Sequence, residues 1–192
     1  MKYNFDEIIE RKGTLSKKWN SNFYKQFFNG NEDLLSLWVA DMDFATPKPI
    51  LNSMKTLLEG QILGYTGIDN ATYEAIINWN KRRKGVEIKK DWIIFTHGVV
   101  PAINFAIQTY TKENDGVLIQ TPVYNPFRLA IKNNNRKVVK NSLINNNGHY
   151  EIDFEDFEKQ IIDNNVKLFI LCTPHNPVGR VWRKEEIRKS LE

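Results

Sequence analysis

Three apolar runs in this chain end in similar punctuation, and the residues just past those ends are the ones equipped for chemistry. They are Thr96-His97-Gly98, then Thr121-Pro122 leading to Tyr124, then Thr173-Pro174 leading to Asn176. Gly98 opens a helical pattern, so the backbone can turn there and the amides of Val99 and Val100 can face an anion, helped by the helix dipole. Tyr124 offers a ring able to lie flat on a planar heterocycle. The Asn176 amide can donate one hydrogen bond and accept another. Each residue alone has a plainer reading: a punctuating glycine, a core tyrosine, an asparagine that shapes a turn between two prolines. Gathered on one rim, they suit a phosphorylated, flat aromatic cofactor.

The elements that must position them follow from periodicity. Phe169-Ile170-Leu171-Cys172 reads as a strand buried on both faces, broken at once by Thr-Pro and Asn-Pro. The loop past a central parallel strand is where open α/β sheets bind ligands. From Trp92 onward the pattern is β then α, repeatedly. Strands are predicted at 92–96, 117–120, 137–140 and 167–172. Helices are predicted from Gly98 (inner side Ile103, Ala106, Ile107, Tyr110), from Pro126 to about Asn133, and after the cap Asp153. The Asn-rich stretch 141–150 reads as a connection. Such alternation implies an α/β fold, a mainly parallel sheet with helices on both faces.

Upstream the signals are looser. Residues 1–37 read as an irregular arm whose Trp19, Phe23, Tyr24, Phe27 and Phe28 must pack on something, in this chain or a partner. Thr46-Pro47 starts a helix with the stripe Ile50, Leu51, Met54, Leu57 and Leu58. Gly64-Tyr65-Thr66-Gly67 is a turn exposing a tyrosine. Asp69 or Asn70 caps the next helix, with Tyr73, Ile76, Ile77 and Asn80 on one face and Gly85 at its end. The last residues, from Trp182, begin a helix with Glu185 and Glu186 in its first turn and Ile187 and Leu191 inside. With so apolar a strand near the last residues, the chain is expected to be the front part of a longer protein.

Composition narrows the class. The 192 residues are 41% hydrophobic and 26% charged, an ordinary balance for a globular chain with a sizeable core. The net charge of +4 is spread over scattered basic residues, which argues against a nucleic-acid stripe. The densest cluster, Lys81 to Lys84, reads as a solvated helix C-terminus. Cys172 is the single cysteine and reads as an inert core thiol. No apolar run approaches a membrane span and the first residues are charged, so the expected location is cytoplasmic. Asp41 and Asp43 could form a metal or acid/base pair; the plainer reading is a loop whose acids cap nearby N–H groups.

These stretches resemble, specifically, the pyridoxal-phosphate-dependent aminotransferase class I/II superfamily of fold type I. Within it they resemble the cystathionine β-lyase (C–S lyase) branch, the MalY/PatB group. The matching segments are FDEIIERKGTLSKKW (5–19), LWVADMDF (37–44), GYT (64–66), THGVVPA (96–102), QTPVYNPF (120–127) and CTPHNPVGRVW (172–182). The resemblance implies pyridoxal 5'-phosphate held through Gly98 and the Val99 and Val100 amides, stacked on Tyr124 and bonded at its ring 3-oxygen by Asn176. Tyr65 is implied to reach the cofactor phosphate of a second subunit, so a homodimer is expected. The Val39-Ala40 backbone is implied to lie near the substrate α-carboxylate, leaving Asp41 and Asp43 to shape the loop. His97 and His175 read as structural, and cis bonds are implied before Pro122 and Pro177. The implied domains are 1–45, an arm with part of a small domain, and 46–192, an incomplete cofactor-binding large domain. The family's Schiff-base lysine is expected beyond Glu192, so no catalytic residue is assigned here and these 192 residues alone are expected to be inactive. For the complete protein the resemblance implies a carbon–sulfur β-lyase acting on a small amino-acid substrate, cystathionine or a cysteine S-conjugate. An aminotransferase on the same fold and a non-catalytic truncated fragment are the alternatives.

Overall fold

The computed structural model describes residues 3–31, 34–60 and 62–192. They divide into two compact units, one up to Asp69 and one of Asn70–Glu192. Residues 1–2 and 32–33 of the expected arm lie outside the described residues.

In the second unit, β1 (Gly116–Thr121) lies at the centre of a parallel sheet, with β2 (Lys137–Ser142) on one side and β5 (Val166–Ile170) on the other. Its alternation explains the layers. Val117 and Ile119 face a cluster with Ile107 of α4 (Val99–Tyr110) and Phe127, Ala130 and Ile131 of α5 (Asn125–Asn133). Leu118 faces the other way, onto Val139 and Phe157 of α6 (Phe154–Asp163). Burying apolar side chains on both faces is the main stabilising term here, about 1.5–3 kcal/mol for each large aliphatic residue. At Gly116 the neighbouring strand comes very close: a Cβ would sit 2.8 Å from the Asn164 carbonyl oxygen and 3.3 Å from Val166 Cα. The pairing register with β5 shifts at that residue.

Several expectations are corrected. Ile93–Thr96 forms no strand: a 3-10 turn covers Lys90–Trp92, and Ile94 is 86% exposed. Extended backbone becomes a strand only with a partner for its N–H and C=O groups, and no described strand runs beside it. The run ending at Cys172 is not a strand buried on both faces: β5 stops at Ile170 and is half-buried at a sheet edge, and the strand buried from Gly116 to Gln120 is β1. The 141–150 connection contains a hairpin, β3 (Ile144–Asn146) and β4 (His149–Glu151). Its two-residue turn, Asn147-Gly148, has φ of 52° and 92°, the positive values of a type I′ turn. Tyr110 and Leu191 face solvent rather than the core.

α3 (Asn70–Lys84) half-buries Tyr73, Ile76, Ile77 and Asn80, the four positions the helical period selects, and the Gly85 N–H closes it on the Lys81 carbonyl. The last helix is α7 (Lys184–Lys189). Its Glu186 carboxylate accepts from the Arg183 N–H at 2.7 Å, completing a capping box.

In the first unit, α1 (Ser21–Tyr24) is capped by the Asn20 side chain. Tyr24 is buried and meets the rings of Phe28 and Trp38 edge-on, so part of the arm's aromatic set packs together, while Phe23 and Phe27 stay exposed. α2 (Lys48–Leu58) begins one residue later than the Thr46 cap would place it, with Pro47 as N-cap. Its predicted stripe is exposed, from 42% at Leu51 to 61% at Leu57, because no described element of this unit covers it.

Candidate functional site

The second unit brings two of the sequence-selected loops together. The Tyr124 N–H donates to the Asn176 carbonyl at 2.9 Å, joining the loop after β1 to the loop after β5. Because β1 and β5 are parallel neighbours, both loops leave the sheet from one rim. Tyr124 is the N-cap of α5; its ring is 43% exposed and packs edge-on against Phe127. No hydrogen bond among the described residues engages the Asn176 side-chain amide or the Tyr124 hydroxyl. The Asn176 N–H points to the Cys172 sulfur at 3.4 Å, which turns the loop back on its own strand. The bonds Thr121–Pro122, Thr173–Pro174 and Asn176–Pro177 are all cis.

Gly98 is the N-cap of α4 with φ of 110°, a conformation side-chain-bearing residues rarely adopt, and the next two amides lead the helix. The first N–H groups of a helix have no intrahelical acceptor, so Val99 and Val100 present free donors at a positive dipole end. One turn on, Ile103 packs on the cluster that also receives Val123 and Cys172, from the two loops just described. His97 is exposed.

His175, read from the sequence as structural, is a buried polar residue of the loop after β5. It is 1% exposed, and its Nε2 lies 3.0 Å from the Pro122 carbonyl. Burial pushes its pKa below the ordinary value, and contacts with the Pro122 and Gln120 backbone oppose that shift. Arg180 lies over the Trp182 ring, donates to the Tyr150 carbonyl at 2.7 Å and pairs with Glu186.

Val39, Ala40 and Tyr65 belong to the first unit. Val39 has φ of 56°, a left-handed conformation that a β-branched residue adopts only under constraint. Tyr65 is fully exposed. Asp41 and Asp43, beside them, are taken up by ion pairs. Arg11 meets Asp41 at 2.8 Å and Asp43 at 3.1 Å, and buried Lys18 reaches Asp43 at 2.6 Å. The Trp19 indole N–H donates to Asp43 at 2.6 Å. The Lys18 ammonium and Trp19 hydrogen bonds hold the Asp43 carboxyl below the usual carboxylate range. Neither Arg11 nor Lys18 stood out in the sequence, since a scattered cation carries no periodic signal.

Open parallel α/β units bind ligands in the loops past the carboxyl ends of their strands, where Tyr124 and Asn176 lie. The family described as aminotransferase class I and II matches residues 32–192, and the chain belongs to it. The chain is 43% identical to "Cystathionine beta-lyase PatB" of Bacillus subtilis over 97% of its own length and 47% of that protein. Among solved structures it resembles cystalysin from Treponema denticola, which contains a pyridoxal 5'-phosphate cofactor, with a TM-score of 0.88 and 43% identity over 99% of this chain and 48% of that one. It also resembles the pyridoxal-phosphate-bound C–S lyase of Staphylococcus hominis, with a TM-score of 0.87 and 40% identity over 98% of this chain and 47% of that one. The chain thus spans about half the length of the relatives it matches. Among the described residues, no helix is long and apolar enough to cross a membrane.

Proposed function

We propose that this chain forms the phosphate- and ring-binding half of a pyridoxal 5'-phosphate-dependent carbon–sulfur β-lyase. It would act on cystathionine or related cysteine S-conjugates and yield thiol, pyruvate and ammonia. The observation that carries the reading is the 43% identity to the PatB cystathionine β-lyase across nearly all of this chain. The local chemistry fits the cofactor in kind. Free N–H donors open α4, the Tyr124 ring is accessible, and the Asn176 amide is unengaged.

In this proposal Gly98 and the Val99 and Val100 amides hold the phosphate, and Tyr124 lies on the pyridine ring. The Asn176 amide donates to the ring 3-oxygen. When bound, pyridoxal phosphate supplies an electron sink that makes the α-proton of an amino acid acidic. The constrained turn at Val39-Ala40 offers backbone N–H groups to the substrate α-carboxylate. Tyr65, fully exposed in its own unit, would reach the phosphate bound by a second copy, which makes the working form a homodimer. Residues 46–192 would act as an incomplete cofactor-binding large domain, and 1–45 as the arm with part of a small domain. The protein would work in the cytoplasm, whose reducing conditions suit a free Cys172. By the resemblance, the lysine that bonds the cofactor belongs to the half of the family's length that this chain does not span.

The family match also favours an aminotransferase as a second reading. Incubating the full protein with cystathionine and pyridoxal phosphate separates the two. Pyruvate and free thiol released without a keto-acid acceptor support the lyase, whereas turnover that requires an added keto acid sinks it.

A further inference from the structure

His175 occupies the seam between the two loops that carry Tyr124 and Asn176, and its surroundings fix its chemical state. The Pro122 carbonyl can only accept, so the ring Nε2 at 3.0 Å bears the hydrogen and the imidazole donates across the seam. Nδ1 is left as a buried lone-pair atom with no partner among the described residues. The main chain that carries the ring is held as well: the backbone N–H of His175 donates to the Arg180 carbonyl at 2.7 Å, and its carbonyl accepts from the Gly179 N–H at 2.8 Å. Trp182, itself buried, meets the imidazole edge-on at 5.5 Å and donates from its indole to the Cys172 carbonyl at 3.0 Å.

Two bonds therefore cross the seam in opposite directions. The His175 side chain reaches Pro122, and the Tyr124 N–H reaches the carbonyl of Asn176, the residue after His175. A buried ring with one orphaned nitrogen carries a desolvation cost that an apolar side chain of similar size would not. Its return is the one bond that an apolar ring could not make.

We infer that His175 is a positioning residue: its neutral imidazole clasps the β1 loop to the β5 loop, fixing the Tyr124 ring against the Asn176 amide before a ligand arrives. This rests on the cofactor reading above, since the mutual geometry of those two side chains matters only if they share a ligand. Preorganisation of that kind appears as affinity, because less ordering remains for the ligand to impose.

The test uses the full protein and two variants. His175→Gln retains an N–H donor, and His175→Phe fills the space without one. Affinity for pyridoxal phosphate is measured by equilibrium dialysis, and exchange of the Tyr124 and Ile119 amides is measured without cofactor. His175→Phe should weaken cofactor binding by about tenfold and speed Tyr124 exchange by a similar factor, as loss of one buried hydrogen bond does. Ile119, in the β1 core, should exchange as before, and His175→Gln should stay within about threefold of the parent. Parent-like affinity and exchange in His175→Phe would overturn the clasp while leaving the cofactor reading intact. If His175→Phe does not fold, the parent decides alone: a Tyr124 amide that exchanges as freely as an open loop overturns the clasp. Failure of the parent to take up pyridoxal phosphate, or unchanged affinity in Tyr124→Ala and Asn176→Ala, overturns the cofactor reading and the clasp with it.

Discussion

At Asp43, one carboxylate gathers Arg11, Lys18 and the Trp19 indole, three residues of the arm. Its pKa lies below the ordinary carboxylate value, so the folded state holds fewer protons than the unfolded chain in that range. Stability from this group is present above the unfolded value and is lost as pH falls through the folded one. Asp43→Asn should lower the urea midpoint of the first unit at neutral pH and flatten its acid dependence; an unchanged acid limb would show that the pairs contribute nothing. His175 has the opposite chemistry and the same trend. Its lowered pKa means that the unfolded chain takes a proton first, so stability is full above the ordinary value of 6.5 and falls as pH drops below it. Arg180, which lies over the neighbouring Trp182 ring, pairs with Glu186. Comparing thermal midpoints of the parent and His175→Gln between neutral and mildly acid pH checks this, and the parent should lose more. Asn176 and Tyr124 were legible as candidates from spacing alone. His175 was legible as structural, but its bond to Pro122 was not, because 53 residues separate the partners.

Among the elements, β1 bears the tightest constraint. Gly116 has ordinary backbone angles, so its requirement is space rather than conformation. Gly116→Ala puts a methyl against the Asn164 carbonyl and should cost about 1–3 kcal/mol, read as a drop in urea midpoint with an unchanged slope. The β3–β4 hairpin is the reverse case. Gly148→Val should fray an exposed hairpin, speeding amide exchange at Ile144 and Glu151 while leaving Ile119 protected. The Asn-Gly dipeptide signals that hairpin, but a run of asparagines obscured it in the sequence. Ile93–Thr96 failed in the other direction: an apolar β-prone run met no strand to pair with.

For the whole molecule, the exposed stripe of α2 and the open Tyr65 are the features that a homodimer would explain. Sedimentation of the full protein should show a dimer, and a monomer at micromolar concentration would remove Tyr65 from the proposed site. The sequence by itself determined the α/β class, the face of α3, the Gly98 and Asp153 caps, and the loop residues that suit a phosphorylated ring, because periodicity and turn chemistry are local. Only the tertiary structure decided which strand is central, which run stays unpaired, and which loops meet. Those outcomes depend on hydrogen-bond partners and packed faces contributed by distant segments, and no local window contains them.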